Sequence, residues 1–303
     1  MKTIKINTQT AKTQEIQKIL LGAVAPRPIA LASTIDINGN PNLSPFSFFN
    51  VFSANPPIAI FSPARRIRDN TTKHTLENIK ATKEVVINVV TREIVEKVSL
   101  SSCEYGKGVN EFLKSGLKAV KSETIKPFRV KESPINFECK VKEIISLGDK
   151  NGAGNLIICE IKMIHINKDI LNKEGDIDRK KINLVGRLNG NWYCETNFES
   201  LFEVAKPNKK LGIGVDNIPN EIKENSLFDE NDIGKLGNID NIPKKEDVIL
   251  FVEKNIEINQ IIKEKHNHKN IKIILFKKAK EFLNKNELGK AWKTLLIETS
   301  IKL

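Results

Sequence analysis

The chain has 303 residues, of which 40% are hydrophobic and 28% are charged, a balance typical of a globular protein that buries a sizeable core. Neither end carries an 18-residue apolar run, so a terminal transmembrane helix is not expected and no membrane association is predicted. The first seven residues do not lead into an apolar core followed by small residues, which argues against a signal peptide.

The net charge of +12 raises the question of nucleic-acid binding. The lysines are spread along the whole chain, however, and arginine, which recognises phosphates and bases best, is scarce. Such a spread is typical of a solvated surface, so we expect no nucleic-acid partner, whereas small anionic ligands fit the charge. The cysteines form no CxxC pair and predict reduced thiols in a cytoplasmic protein. They are Cys103, Cys139, Cys159 and Cys194.

The order of apolar runs and turn signals predicts a β-barrel with tight connections. Residues 1–20 predict a short strand and a loop. Further strands are predicted at 29–34, 42–53, 58–62, 85–90, 135–147 and 156–166, and as a pair within 184–193. Helices are predicted to begin near Thr72 and to cover 94–100 and 110–115, the last one stopped by Gly116. Hairpin turns are predicted at Asn38-Gly39, Asn151-Gly152 and Asn189-Gly190.

The character of the chain changes beyond Asn197. We predict a β-barrel domain at 1–198, a loop-rich segment at 199–245 with scattered Gly, Pro and Asn, and a helical extension at 246–303. Two roles are considered for the extension: it either supports a dimer or acts as a lid.

The stretch 42–50 is unusual for a plain strand because it holds three Phe, two Ser and one Pro. A proline removes a ladder donor, so we predict a bend near Pro45 that frees backbone N–H groups to face a ligand. The alternative is an ordinary aromatic core strand.

A second candidate lies at the predicted helix start, where Thr71, Thr72 and Lys73 combine free N–H groups, the helix dipole and a cation. This combination predicts an anion site, and the alternative is an ordinary helix start. The chain contains neither GxGxxG nor GxxxxGK[ST], which argues against a Rossmann site and a P-loop.

Taken together, the ordered motifs closely resemble the flavin reductase-like family with the FMN-binding split barrel, in its flavoredoxin-type branch. The resemblance covers about residues 15–245. Its motifs are residues 22–34 (GAVAPRPIALAST), 42–50 (NLSPFSFFN), 55–57 (NPP), 73–79 (KHTLENI), 86–89 (VINV), 132–134 (ESP) and 186–188 (GRL). His74 is a departure, because the family usually has Lys-Asp-Thr at this place.

The resemblance implies a mainly β fold, an FMN-binding split β-barrel with peripheral helices, and a homodimer that binds FMN near the subunit interface. It places Ser33 and Thr34 along the flavin. Contacts to the isoalloxazine are implied for Asn42, Ser44, Pro45, Phe46 and Ser47. The ribityl-phosphate end is implied to lie near Ser62, Arg65, Lys73 and Thr75.

Two questions about histidine follow. His165 is either near the flavin, as in related proteins, or a histidine whose hydrogen bonds are satisfied within the barrel. His266 and His268 have no carboxylate placed to complete a metal site, so no metal is predicted.

The implied chemistry is hydride transfer from NADH or NADPH to FMN, followed by electron transfer to a second flavin, to oxygen or to an acceptor protein. The flavin carries the redox chemistry, so no catalytic side chain is required. One alternative is an FMN-binding electron carrier that does not oxidise NAD(P)H itself. Another is an enzyme similar to pyridoxamine-phosphate oxidase.

Overall fold

The structure is a computed structural model and describes residues 2–206, 211–263 and 268–301. The chain divides into two compact units, Met1–Phe202 and Glu203–Leu303. Among the helices of the described residues, none is long and apolar enough to cross a membrane.

The first unit combines one large antiparallel sheet with short helices. Its elements are α1 (Thr13–Ala23), β1 (Ala30–Ile35), β2 (Pro41–Phe46), β3 (Phe49–Ala54), β4 (Pro57–Phe61), α2 (His74–Thr82), β5 (Glu84–Val89), α3 (Val95–Leu100), α4 (Glu111–Ser115), β6 (Ala119–Val120), β7 (Arg129–Val130), β8 (Ile135–Ser146), β9 (Asn155–Ile166), β10 (Val185–Arg187) and β11 (Tyr193–Glu195). The helix α4 has the Asn110 side chain as its N-cap, and Gly116 ends it at φ 67°, in the left-handed region that favours glycine.

The large sheet has the strand order β2-β1-β5-β8-β9-β4-β3. Its two edge strands are consecutive in sequence, and only Ser47 and Phe48 connect them. Three Cα steps span at most roughly 11 Å, so the sheet must curl until its edges approach each other. No ladder joins β2 to β3 in the described strands, and the curled sheet is therefore a barrel with an open seam.

The strand β1 is buried on both faces because the barrel and the helices cover opposite sides of it. Alternate side chains, Ala30 and Ala32, face one core with Phe61, Leu76 and Ile87. The intervening Leu31 packs in a second cluster with residues of α3 and α4. The barrel strands thus hold β1, β2 and α2 in fixed positions.

Most predicted elements are confirmed, and two are wrong. Residues 1–20 were expected to form a strand and a loop, but the segment Thr13–Ala23 is helical. The single strand expected at 42–53 is two strands on opposite edges of the sheet. The chain turns at Ser47 and Phe48 rather than at Pro45, which pairs in regular register with Leu31. The edge position of β2 explains why a proline is tolerated there.

The second unit is helical. Its helices are α5 (Asn220–Lys223), α6 (Glu230–Gly237), α7 (Lys245–Lys254), α8 (Ile256–Lys263), α9 (His268–Asn284), α10 (Leu288–Leu295) and α11 (Ile297–Ser300). Two of them, α5 and α6, lie in the segment expected to be loop-rich. They contribute Ile222 and Leu236 to one core with Trp292 of α10. A capping box between Asp229 and Asp232 starts α6.

Candidate functional site

The turn between β2 and β3 forms one wall of a cleft of about 700 Å³. Three predicted flavin contacts, Pro45, Phe46 and Ser47, line this cleft. The turn is held from behind, because Ser62 N–H donates to Phe48 C=O (2.8 Å) and the Phe61 ring lies 5.4 Å from the Phe46 ring. Most of the other lining residues come from α3 and from the β10–β11 hairpin. The other lining residues are Ile29, Arg92, Val95, Glu96, Val98, Ser99, Ser102, Val185, Arg187, Asn191, Tyr193, Cys194 and Glu195.

Three other predicted residues meet in a buried hydrogen-bond network. The Asn42 carboxamide donates to the Thr34 hydroxyl (3.2 Å) and to the Thr75 hydroxyl (2.9 Å). The Asn78 carboxamide also donates to Thr34, over 3.1 Å. The network joins the β1–β2 hairpin to the first turn of α2. It brings together residues that are 41 positions apart in the chain, from Thr34 to Thr75.

Ser33 and Ser44 lie close to this network in sequence but are not part of it. The Ser33 side chain is fully buried, and its hydroxyl has no hydrogen-bond partner among the described residues. Ser44 pairs with Ala32 across β1 and β2 and is half-buried. Neither residue lines the cleft.

The start of α2 is a cationic site. Lys73 is the N-cap residue, and no side chain caps the helix there. The Lys73 side chain is partly buried, and burial, together with the nearby Arg66 and Arg68 guanidinium groups, lowers its pKa. The Glu104 carboxylate acts on Lys73 in the opposite direction, but it forms ion pairs with Arg66 (2.9 Å) and Arg68 (2.7 Å). Lys73 forms no ion pair with the described residues, so its charge is open to an anion.

Two further predicted residues, Ser62 and Arg65, are held by the loops around them. The Ser62 hydroxyl accepts a hydrogen bond from Asn155 N–H over 3.0 Å. The turn before Asn155 can approach because Gly154 lacks a side chain, whose Cβ would lie 2.7 Å from the Ser62 oxygen. The Arg65 guanidinium donates to the Asn70 side chain and backbone carbonyl, each over 2.7 Å. The cations beside Lys73 are therefore Arg66 and Arg68, neither of which is among the predicted site residues.

A second, much smaller cavity of about 20 Å³ lies at the other side of the Asn42 network. Asn42, His74 and the buried Glu111 are among its lining residues. Burial raises the pKa of Glu111, although its carboxylate accepts a hydrogen bond from Leu43 N–H (3.1 Å). His74, which stands where the family usually has Asp, therefore faces a carboxyl group. Neither this cavity nor the cleft is lined by Ser62, Arg65, Lys73 or Thr75.

His165 pairs with the side chain of Glu138 on the neighbouring strand. Its Nε2 atom lies 2.7 Å from a carboxylate oxygen of Glu138. Burial alone would raise the pKa of Glu138, but hydrogen bonds from Thr124 and from the backbone of Glu123, together with His165, lower it to about 2. His165 is thus satisfied within the protein, as the second of the two alternatives states, and it lines neither cavity.

The described residues contain no group of three or more His, Cys, Asp or Glu side chains that could hold a metal ion. His266 lies outside the described residues.

A family model for the flavin reductase like domain matches residues 22–181. The match covers more than half of the chain, which therefore belongs to the flavin reductase-like family. The matched range, 22–181, is shorter than the range 15–245 that the sequence resemblance covers.

One relative and two solved structures illustrate this similarity. An uncharacterised protein of Aquifex aeolicus is 38% identical over 180 residues, which are 59% of this chain and 89% of that protein. The structure of nitrilotriacetate monooxygenase component B from Bacillus cereus is 26% identical, with a TM-score of 0.62 over 68% of this chain and 99% of that chain. A protein of Shewanella frigidimarina with a split barrel domain is 25% identical, with a TM-score of 0.56 over 67% and 100% of the two chains. The fold is the split barrel that the sequence predicted.

Proposed function

We propose that the chain binds one FMN and works as an NAD(P)H-dependent flavin reductase that passes electrons on to a second flavin, to oxygen or to an acceptor protein. The observation that carries this proposal is the cationic start of α2. Lys73 lies there beside Arg66 and Arg68 without an ion pair of its own among the described residues. A partly buried cation of this kind is matched by a phosphate, which is the charged end of FMN.

The distance between the two ends of β2 supports a ligand of this shape. Asn42 contacts the α2 start, and Ser47 lines the cleft. Five residues of extended strand span roughly 17 Å. A ligand with a phosphate at one end, an extended ribityl chain and a flat ring at the other end suits such a separation.

The side chains available at the two ends fit what FMN requires. Pro45 and Phe46 supply apolar surface for the ring, and Ser47 supplies a hydrogen-bond donor. The buried Asn42 network holds the α2 start in place for the phosphate. When bound, the flavin would supply the hydride acceptor, so the protein itself needs only to bind, orient and exclude water.

We further propose a homodimer in which the second copy completes the site. The open seam leaves Val51 and Phe52 of β3 exposed, and Trp192 of the β10–β11 hairpin is also exposed. Exposed apolar side chains of this size are typical of an interface. The B. cereus neighbour is, by its name, a component of a monooxygenase, which supports an acceptor protein as the onward partner. Size-exclusion chromatography with light scattering measures the oligomeric state.

The decisive experiment follows the flavin directly. Protein stripped of cofactor is titrated with FMN, and the complex is then mixed with NADH or NADPH in an anaerobic stopped-flow instrument. The proposal expects saturable FMN binding and rapid bleaching of the flavin absorbance by one of the two donors. Binding without bleaching by either donor would identify the electron carrier instead. A protein that takes up no FMN would contradict both functions.

A further inference from the structure

Arg27 is a buried cation without a carboxylate partner. Its side chain is 6% exposed and lies between α1 and the β10–β11 hairpin. Its guanidinium donates to the carbonyl oxygens of Leu21 (2.7 Å), Val24 (2.7 Å) and Leu188 (2.9 Å), and its Nε donates to the Ser47 hydroxyl oxygen (3.3 Å). These acceptors are all neutral. No acidic group forms an ion pair with Arg27 in the described part of the chain, so its positive charge remains uncompensated.

A second arginine lies next to this one. Arg27 and Arg187 exchange backbone hydrogen bonds of 3.0 and 2.8 Å, and the Arg187 guanidinium lies 4.4 Å from the centre of the Tyr193 ring. The two segments approach this closely because Gly186 has no side chain; a Cβ atom there would lie 2.7 Å from the Cβ of Pro26. Burial and the neighbouring Arg187 charge both lower the pKa of Arg27. An arginine keeps its proton in proteins, so two positive charges remain side by side.

The hydrogen bond from Arg27 determines where the Ser47 proton can point. A guanidinium nitrogen can only donate, so the Ser47 oxygen must be the acceptor in this pair. The Ser47 hydrogen is then left to donate elsewhere, and no described residue accepts it. Ser47 lines the cleft, next to Pro45 and Phe46. Its hydroxyl hydrogen is therefore available to an acceptor in the cleft, and the cation behind it polarises the O–H bond.

The other charged groups of the cleft do not cancel this effect. Arg92 lines the cleft as a third arginine, and Glu96 and Glu195 are its two carboxylates. Neither carboxylate forms an ion pair with Arg27, Arg92 or Arg187 in the part of the chain that is described. The part of the cleft wall that contains Ser47 and Arg187, with Arg27 behind Ser47, therefore presents donors and positive charge to whatever occupies the cleft.

We propose that Arg27 is a positioning residue which, through Ser47 and together with Arg187, makes this wall bind the reduced flavin more tightly than the oxidised flavin. The inference rests on the proposed function. A reduced flavin that has lost its N1 proton carries negative charge on its ring, whereas the oxidised ring is neutral. Positive charge and a hydrogen-bond donor beside the ring favour the negative form, and this raises the reduction potential of the bound cofactor.

The test measures the two-electron midpoint potential of bound FMN by spectroelectrochemistry, with the dissociation constant of oxidised FMN measured in parallel. In Arg187→Gln the affinity for reduced relative to oxidised FMN is expected to fall about tenfold, which lowers the potential by about 30 mV. Ser47→Ala is expected to lower it by a smaller amount in the same direction. Arg187→Lys keeps the charge, so its midpoint potential should stay close to that of the wild type. The exposed Arg179→Gln is the matched control.

Arg27→Lys tests the arginine directly. Because substitution of a buried residue can prevent folding, the variants of Arg187 and Ser47 are the decisive ones. The proposal is overturned if Arg187→Gln and Ser47→Ala bind oxidised FMN and show the wild-type potential. It is also overturned if the midpoint potential falls as far in Arg187→Lys as in Arg187→Gln, because the positive charge would then not be the cause of the higher potential. Wild-type protein that binds no FMN would instead reject the proposed function itself.

Discussion

The Asn42 carboxamide donates a hydrogen bond of 2.9 Å to the Thr75 hydroxyl, and this contact joins an edge strand to the start of a helix. The strand end carries the cleft-lining turn, and the helix start carries the cationic site at Lys73. Because both groups are buried, the contact fixes the two parts relative to each other within the first unit. We infer that Asn42, Thr34 and Thr75 act on a ligand by holding these parts in place.

Substitution of Asn42 tests this positioning role. Asn42→Ala removes the carboxamide and with it the hydrogen bonds to the buried Thr34 and Thr75 hydroxyl groups. This loss is expected to lower the free energy of unfolding by about 1–3 kcal/mol. FMN binding should weaken as well, because the α2 start loses its attachment. The exposed Asn50→Ala on β3, at the opposite edge of the sheet, is the control and should change neither quantity. Urea unfolding and FMN titration measure the two effects, and an Asn42→Ala protein with unchanged stability would contradict the structural role.

The phosphate assignment of Lys73 leads to a prediction about ligand selectivity. Lys73→Met removes the unpaired cation, so the FMN dissociation constant should rise at least about tenfold, which corresponds to about 1.4 kcal/mol. Riboflavin lacks the phosphate, and its dissociation constant should stay the same. Lys80→Met, at an exposed position of the same helix, should bind both flavins like the wild type. Equal weakening of FMN and riboflavin would show that Lys73 supports the fold rather than the phosphate.

The sequence predicted the cationic helix start and a bend in the Phe-rich segment because both are local patterns. The turn itself lies at Ser47 and Phe48, two residues beyond the predicted bend at Pro45. A Pro among Phe and Ser residues, and Thr with Lys before an apolar helix, are visible within ten residues of chain. The Asn42–Thr75 contact could not be predicted, since it depends on the sheet register. The split of 42–53 into two strands also depends on the barrel closing, which no local pattern expresses.

The positions of the arginines are informative although the composition shows only that arginine is rare. Arginine is scarce, but five arginines lie at the two parts of the candidate site. They are Arg92 and Arg187 in the cleft lining, Arg27 behind Ser47, and Arg66 and Arg68 beside Lys73. The positions of a rare residue type were therefore more informative than its frequency.

The Glu138–His165 pair predicts a dependence of stability on pH. The pKa of Glu138 is lowered to about 2 in the folded protein, so the native state favours the carboxylate. Its contribution is fully present above the ordinary glutamate pKa of about 4.3 and is lost as the pH falls from there toward 2. Glu138→Gln is expected to cost about 1–3 kcal/mol at pH 7. It should also flatten the loss of stability between pH 5 and pH 2.

Urea midpoints at pH 7, 5, 4 and 3 measure this effect. Glu143→Gln is the matched control because Glu143 lies on the same strand but is exposed. Its pH profile should follow the wild type. A Glu138→Gln profile that is parallel to the wild type at every pH would show that the hydrogen bonds of Glu138 do not depend on its charge.

The two tryptophans of the chain allow the two units to be followed separately. Trp192 lies in the first unit and is 75% exposed, whereas Trp292 lies in the second unit, is 0% exposed and donates its indole N–H to Leu236 C=O (3.0 Å). The Trp192→Phe variant therefore reports only on the second unit and should show blue-shifted emission that moves to the red on unfolding. In the Trp292→Phe variant the remaining indole is that of Trp192, which is solvated in the single chain, so the emission of a monomer should change little on unfolding. In the proposed dimer the interface would cover Trp192, and the emission should move to the red on dissociation.

The same pair tests whether the helical unit is needed to hold the flavin. The core around Trp292 shares no residue with the barrel cores, so Trp292→Ala should cost about 3–5 kcal/mol in the second unit alone. If each core stabilises only its own unit, this variant should keep the FMN affinity of the wild type, even where circular dichroism shows that helix content is lost. Loss of FMN together with the helices would mean that the second unit stabilises the barrel. In that case the barrel would need the helical unit in order to retain the flavin, although the family match ends at residue 181.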